Sequence, residues 1–355
     1  MAEVWNKYTN TTARKHGKPG REMRPKALTI DSHAHVAIPA ASRYIKPYLD
    51  PSTNPSAIFA SEETATLGAK QMADVSSRMT GYDDRFADMD KMGVDMQVVM
   101  PPPGQLFHTV AIEHAMPAAR IINDGIGEFV ARYKDRLIPC GTVPMQDGLE
   151  AAKELERCVT TYDFRAVEIL TNVAGRELSD PAFAPFWQKA EELDVVVVLH
   201  PNGFTEGRRL SRFNFINVIG NPLDTALALH YLIFDGVLER HPNLKIFAVH
   251  GGGYLGAYSG RIDHAWGARS DCHGDLPHPP TTYLKKIYFD TVVFTPIQLE
   301  SLVKTFGSDH VVMGTDFPFD MLEYDPIGHI ASVERFDEGT RAALAGGNAK
   351  RIFRL

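Results

Sequence analysis

Cysteine is scarce in this 355-residue chain: Cys140, Cys158 and Cys272 stand far apart and form no CxxC pair. Three scattered thiols exclude a disulfide framework and fit a reducing cytoplasm. Long apolar runs are missing too. None approaches the ~20 residues that span a bilayer, and residues 1–27 lack the apolar core of a signal peptide. No P-loop occurs, and no glycine fingerprint follows the first expected strand, where HVAIPAA stands instead. HGGG at 250–253 has the letters of an esterase oxyanion loop, but the GxSxG nucleophile elbow it would need is absent. There is no internal repeat, no low-complexity tract and no linker to divide the chain.

What is present is an ordinary globular composition, 44% hydrophobic and 23% charged. The net charge of −7 is uneven. Residues 1–26 carry +5, and the remainder carries −12. No aromatic-basic interleaving or nucleic-acid motif accompanies the basic stretch, so residues 1–27 are expected to form a polar arm and not a nucleic-acid contact.

Short β-rich runs recur along the rest: 28–33, 95–100, 137–143, 165–170, 195–200, 245–250, 286–291 and 311–316. Several are continuously apolar, as parallel strands covered on both sides are. Amphipathic stretches at 112–133, 148–159, 182–193, 222–241, 297–307 and 337–353 alternate with them. Asp180-Pro181 and Asn221-Pro222 supply start signals for two of these helices. Eight strands alternating with helices predict a single (β/α)8 TIM barrel over 28–355. A doubly wound open sheet is the alternative, weakened by the missing glycine fingerprint. Residues 36–84 break the rhythm and are expected to be a long insertion after the first strand, serving as a lid.

Barrel enzymes place their chemistry at the C-terminal strand ends. The first strand ends in IDSHAH. His33 and His35, two residues apart, therefore share one face. The fifth ends in His200, the sixth in His250 and the eighth in Asp316. The chain's other ten histidines fall in expected helices, loops or the tail. His33, His35, His200 and Asp316 offer three imidazoles and a carboxylate, a set that suits zinc with one open position. Manganese or iron is compatible with the same donors. Glu168, in the fourth strand, either orients a neighbour or bridges to a second metal. No lysine stands there to carry a bridging carbamate.

The pattern HxH, H, H, D on eight βα units resembles the amidohydrolase superfamily. Within it, the chain resembles the aminocarboxymuconate-semialdehyde decarboxylase family of metal-dependent, O2-independent decarboxylases. The segments IDSHAH, GVDMQVV, GTVPMQDGLEAAKELERCV, VLHPNG, GVLERHPNLKIFAVHGGG, GRIDHAW, YFDT and VVMGTDFPF carry the likeness, in that order, from about residue 28 to the C-terminus. The resemblance implies one divalent metal on His33, His35, His200 and Asp316. It implies His250 as the nearby acid or base, Asp316 as a further proton carrier, and Asp290 as a support behind the ligands. It implies Arg261 as a guanidinium for a substrate carboxylate, reaching across a homodimer interface. Two departures stand out. Asn202 replaces the aromatic that the semialdehyde decarboxylases carry after HP. The nearest counterparts of their second substrate arginine, Arg78 and Arg85, do not align cleanly. Tyr44, Phe107 and His108 are expected to flank the pocket.

The expected activity is decarboxylation of an aromatic or unsaturated, muconate-like acid. A hydrolase or hydratase on the same barrel is the alternative, since fold and ligand set do not determine reaction class. A non-enzymatic metal-binding scaffold is a third reading.

Overall fold

The computed structural model describes residues 25–355. The expected N-terminal arm therefore lies almost wholly outside the described residues. The eight expected strands all form, with shifted or shortened ends: β1 Ile30–His35, β2 Met96–Met100, β3 Leu137–Thr142, β4 Ala166–Leu170, β5 Val196–His200, β6 Lys245–Ala248, β7 Tyr288–Asp290 and β8 Val311–Val312. They lie in sequence order, every neighbouring pair parallel. The segment after β8 closes the ring onto β1. Ser32 N donates to Met313 O (2.8 Å), Asp316 N to His33 O (2.9 Å) and His35 N to Phe317 O (2.7 Å). The fold is thus a (β/α)8 TIM barrel with a long insertion after β1.

The apolar strands are covered on both faces, which explains runs such as VVVVLH. Val196 and Val198 fill the barrel interior with Ile30, Val98, Ile138, Phe247 and Val312. Val197 and Leu199 face the opposite way, into the layer packed under the helices with Phe186, Trp187 and Leu229. Strand alternation then aims His200 inward, along with Val196 and Val198.

The helices depart from expectation in instructive ways. Ile112–Ala131, Gly148–Tyr162 and Pro296–Phe306 form close to their expected places. The expected 222–241 helix is split into Asn221–Phe234 and Val237–Arg240 at Gly236, whose φ is +73°. Asn221 does not cap its helix, which runs straight on from a π-turn over Ile216–Gly220. Its Oδ1 accepts from Gly203 N instead (2.7 Å). The last helix is interrupted by a second π-turn, Ala343–Gly347. There Gly346 presses on the lead into β1, where a Cβ would lie 2.0 Å from Leu28 O.

The insertion is more regular than its sequence suggests. It holds helices at Pro39–Ile45, Glu62–Asp74 and, running past its end, Asp83–Met92. Glu62–Asp74 buries none of its residues. It carries no core-facing stripe, so no apolar periodicity betrays it. Its start is marked by Ser61, whose hydroxyl accepts from Thr64 N (3.1 Å). Among the described residues, no helix is long and apolar enough to cross a membrane.

Candidate metal centre

Local backbone geometry puts five side chains at one end of the barrel. His33 and His35 leave β1 on the same face, and His200 ends β5. His250 follows β6 in a left-handed turn, with φ +55°, continued by three glycines of φ +62° to +75°. Asp316 also takes a positive φ, +65°, in the segment that closes the ring. Left-handed backbone is costly for non-glycine residues and marks sites held in place by their surroundings. Here Asp290, at the end of β7, does the holding. Its carboxylate accepts from His250 N (3.0 Å), Gly251 N (2.8 Å) and Val292 N (3.1 Å).

His33, His200, His250 and Asp316 each present a donor atom, all within 4.8 Å of one another. His35 joins them, its ring 5.2 Å from those of His33 and His200 and its Nε2 3.1 Å from Asp316 Oδ1. The outer nitrogens of three rings are already engaged. His33 Nδ1 donates to Asp290 Oδ2 (2.8 Å), His35 Nδ1 to Pro101 O (3.1 Å) and His200 Nδ1 to Pro201 O (2.8 Å). A carbonyl only accepts, so the proton of His35 and of His200 sits on Nδ1. Their Nε2 atoms then carry bare lone pairs. His33 and His200 leave Nε2 with no hydrogen-bond partner, and His33 Nε2 lies 3.4 Å from the oxygen that faces His35. Lone pairs gathered around a buried carboxylate repel unless a cation or protons stand between them. The donor set, tautomers and outer hydrogen bonds all fit a divalent metal.

Electrostatics agree. Burial, the largest influence, opposes ionisation of Asp316, yet His33, His250 and His35 hold it well below the usual carboxylate range. Burial pushes His35 down and His200 well down, so both stay neutral, as ligands must be. Burial lowers His33 too, but Asp316 and Asp290 bring its net shift upward. Glu168 lies below the cluster, buried, with neither oxygen hydrogen-bonded. Burial and then Asp316 push it far above the ordinary range.

A buried network pins β1. Asp31 accepts from His33 N (3.1 Å), Gln97 Nε2 (2.9 Å) and Thr315 Oγ1 (2.6 Å). Burial raises its pKa to about 6. Arg85, wholly buried, donates to Gln97 Oε1 (2.9 Å), His35 O (2.5 Å) and Arg78 O (2.8 Å). Arg85 is thus a structural cation under β1, not a substrate contact. Arg78 pairs with Asp88 (2.6 Å) beside a neighbouring cavity.

His200, His250 and Asp316 open into a cavity of about 790 Å³. Asn202 lines it, and helix Glu62–Asp74 of the insertion contributes Glu63, Leu67 and Gln71. Three expected pocket residues fall elsewhere. Tyr44 and Phe107 pack against Ile45, Val110 and Ala118, an apolar cluster that holds the insertion to the barrel. His108 is buried in a narrow crevice beside Thr142, where burial lowers it to about 4. Arg261 lies exposed on helix Leu255–Ala268, off the lining of this cavity. Sequence reasoning missed Phe319, whose ring sits 5.0 Å from that of His35, and Asp320 and Phe213 at the cavity wall. The first two follow Asp316 in GTDFPFD, and that proximity was the available signal.

Residues 30–355 match the family model described as Amidohydrolase. The chain is 32% identical over 290 residues to 2-amino-3-carboxymuconate-6-semialdehyde decarboxylase of Dictyostelium discoideum, a match covering 81% of each. Its fold is similar to crystal structures of 5-carboxyvanillate decarboxylase from Sphingomonas paucimobilis (TM-score 0.81, 23% identity, 93% of this chain and 100% of that one). It is also similar to a manganese-bound dihydroxybenzoic acid decarboxylase from a Polaromonas species (TM-score 0.79, 24% identity, 93% and 97%). The protein belongs to the amidohydrolase family and, within it, to the metal-dependent decarboxylases.

Proposed function

We propose that this enzyme removes CO2 from an aromatic or unsaturated, muconate-like carboxylic acid, with one divalent cation on His33, His35, His200 and Asp316. The observation that carries the reading is the orientation of three imidazoles. Each gives its outer nitrogen to a built-in acceptor and turns Nε2 toward one carboxylate at the floor of a cavity. The cavity's size suits a small organic acid. Zinc is our assignment from the donor set. Manganese is the alternative that the same donors admit and that the Polaromonas relative holds.

When bound, the cation would polarise a substrate oxygen next to the carbon that loses CO2. The chain's own residues do the rest. His250 is the most open of the cluster's rings, its side chain 17% exposed, with Nε2 3.4 Å from Asp316 Oδ2. We assign it the proton delivered to that carbon. Asp316, facing three rings, is placed to pass a proton on to His250. Asn202 can donate from its amide to a substrate oxygen. In this reading the decarboxylase relatives favour loss of CO2 over the hydrolase or hydratase alternative.

A homodimer, with Arg261 reaching the second copy's cavity, belongs to the same proposal. It is supported by Tyr254, Tyr258 and Arg261, spaced i, i+4, i+7 on one face, with the two tyrosines 41% and 67% exposed. Aromatics and arginine are the residues enriched at such interfaces. A reducing, cytoplasmic setting is supported by three free cysteines.

The test is elemental analysis of the purified protein, followed by CO2 release from hydroxybenzoates and carboxymuconate semialdehydes. About one equivalent of zinc or manganese with CO2 release is expected. Protein that binds no divalent metal under replete conditions, or converts these acids only by adding water, overturns the reading. Light scattering of wild type checks the dimer, and loss of turnover in Arg261→Ala checks its role there.

A further inference from the structure

The cavity over the metal residues is not the only one at this end of the barrel. A second chamber of about 570 Å³ shares Pro103, Gly104 and Asn202 with it. Between the β5 loop and the insertion, the shared wall is bridged by a hydrogen bond from Asn202 Nδ2 to Asn54 Oδ1, 3.4 Å long. That is near the limit of a useful hydrogen bond. Beside it, Gly203 (φ +84°) lets the loop run against the insertion, where a Cβ would lie 2.8 Å from Ser56 N. Loop and insertion therefore meet here on small groups.

We infer that the second chamber is a substituent subsite, entered past Asn202 by the far end of a substrate whose carboxylate lies over the metal residues. This rests on the reading of the main cavity given above. The chamber's chemistry defines what it takes. Phe107 and Leu49 supply apolar surface, and Thr53, Thr109 and Thr171 supply hydroxyls. Asp50 stands at its edge. Beneath it, the buried Asp224 carboxyl takes the hydroxyl proton of Thr171 and a bond from Asn172 Nδ2 (3.1 Å). Thr171 therefore keeps only lone pairs for a ligand. Acceptors and carboxyls together repel an anion and welcome a neutral substituent that ends in a hydroxyl or amino group. The phenylalanine that could have been a wall of the main cavity is, in this arrangement, a wall of the subsite.

The test compares two acids on the metal-loaded, full-length protein: 2,4-dihydroxybenzoate, and 2-hydroxy-4-(2-hydroxyethoxy)benzoate, which adds a neutral hydroxyl-ended arm. Thr109→Trp fills the chamber from its outer rim and leaves the main cavity's lining untouched. We expect kcat/KM for the longer acid to fall about 10-fold or more and that for the shorter acid to stay within about 2-fold, the scale on which pocket-filling groups discriminate. Ala57→Trp fills the same chamber from the insertion and serves if Thr109→Trp does not fold. Equal losses for both acids, or no loss for the longer one, overturn the subsite. If wild type releases CO2 from neither acid, the activity assigned to them fails. Calorimetric binding of the same two acids then decides the subsite alone. A selective loss of affinity for the longer acid supports it. Equal affinities in wild type and variant, or no binding of either acid, overturn it.

Discussion

Asp290 joins two parts of the site on one carboxylate. It holds the outer nitrogen of His33, and it takes the backbone N–H groups of His250 and Gly251. One short side chain thus joins a ligand candidate to the loop of the proposed proton carrier. Partners behind metal ligands set ring orientation and donor strength. Asp290→Ala is expected to weaken metal affinity about 10- to 100-fold, measured by competition with a chromophoric chelator. Unchanged affinity would mean that His33 is positioned by packing alone. His250 is expected to behave differently. His250→Asn should retain its metal while turnover falls on the order of 10²-fold or more, the range of a general acid. Loss of metal along with turnover would place His250 among the ligands. The four-donor cluster that includes His250 gives that outcome a definite geometry.

At the scale of elements, the barrel's neighbours are tied by buried carboxyls as well as by apolar packing. Asp224, on helix Asn221–Phe234, binds Thr171 and Asn172 just past β4. Burial raises its pKa above the ordinary 3.8. A raised carboxyl pKa means that the folded state holds the proton more tightly than the unfolded one. Its contribution to stability is therefore full below the unfolded value, about 4, and declines as pH rises through the folded value. Asp224→Asn cannot ionise. Urea midpoints measured from pH 4 to 7 are expected to fall less with rising pH in this variant than in wild type. An equal slope in both would show that Asp224 does not titrate in this window. Asp31 and Glu168, both raised mainly by burial, add slope of the same sign. The roof element, Glu62–Asp74, was illegible for the converse reason. With no buried residue, its pattern reflects capping chemistry and solvent, not a core.

At the scale of the molecule, the site exists because the ring closes. The segment that carries Asp316 is held to β1 by backbone bonds on both sides of it. The proposed ligand set, drawn from β1, β5 and the closing segment, would couple metal binding to the barrel's integrity. Removing the metal with a chelator is expected to lower Tm, and returning it should restore Tm in a concentration-dependent way. A free concentration 100 times Kd corresponds to about 2.7 kcal/mol of stabilisation. Acid should also release the metal, because neutral imidazoles must then take up protons. A melting temperature indifferent to both treatments would separate the metal from the fold.

The sequence by itself determined the eight strands, their expected order in a barrel and the inward aim of His33, His35 and His200. The strands follow from local apolar runs, their order from alternation with helices, and the aim of those three from alternation along a strand. His250 and Asp316 lie past their strands, in left-handed backbone. Strand-end position then named His33, His35, His200, His250 and Asp316 without any contact being known. Only the tertiary structure decided which ring nitrogens face the centre, because that depends on Pro101, Pro201 and Asp290 standing behind them. It also turned Tyr44 into a packing residue, moved Phe107 from the main cavity to the second chamber, buried Arg85 under β1 and left Arg261 facing outward. The direction a side chain takes toward a distant segment is set by long-range packing, and residue type and spacing do not carry that information.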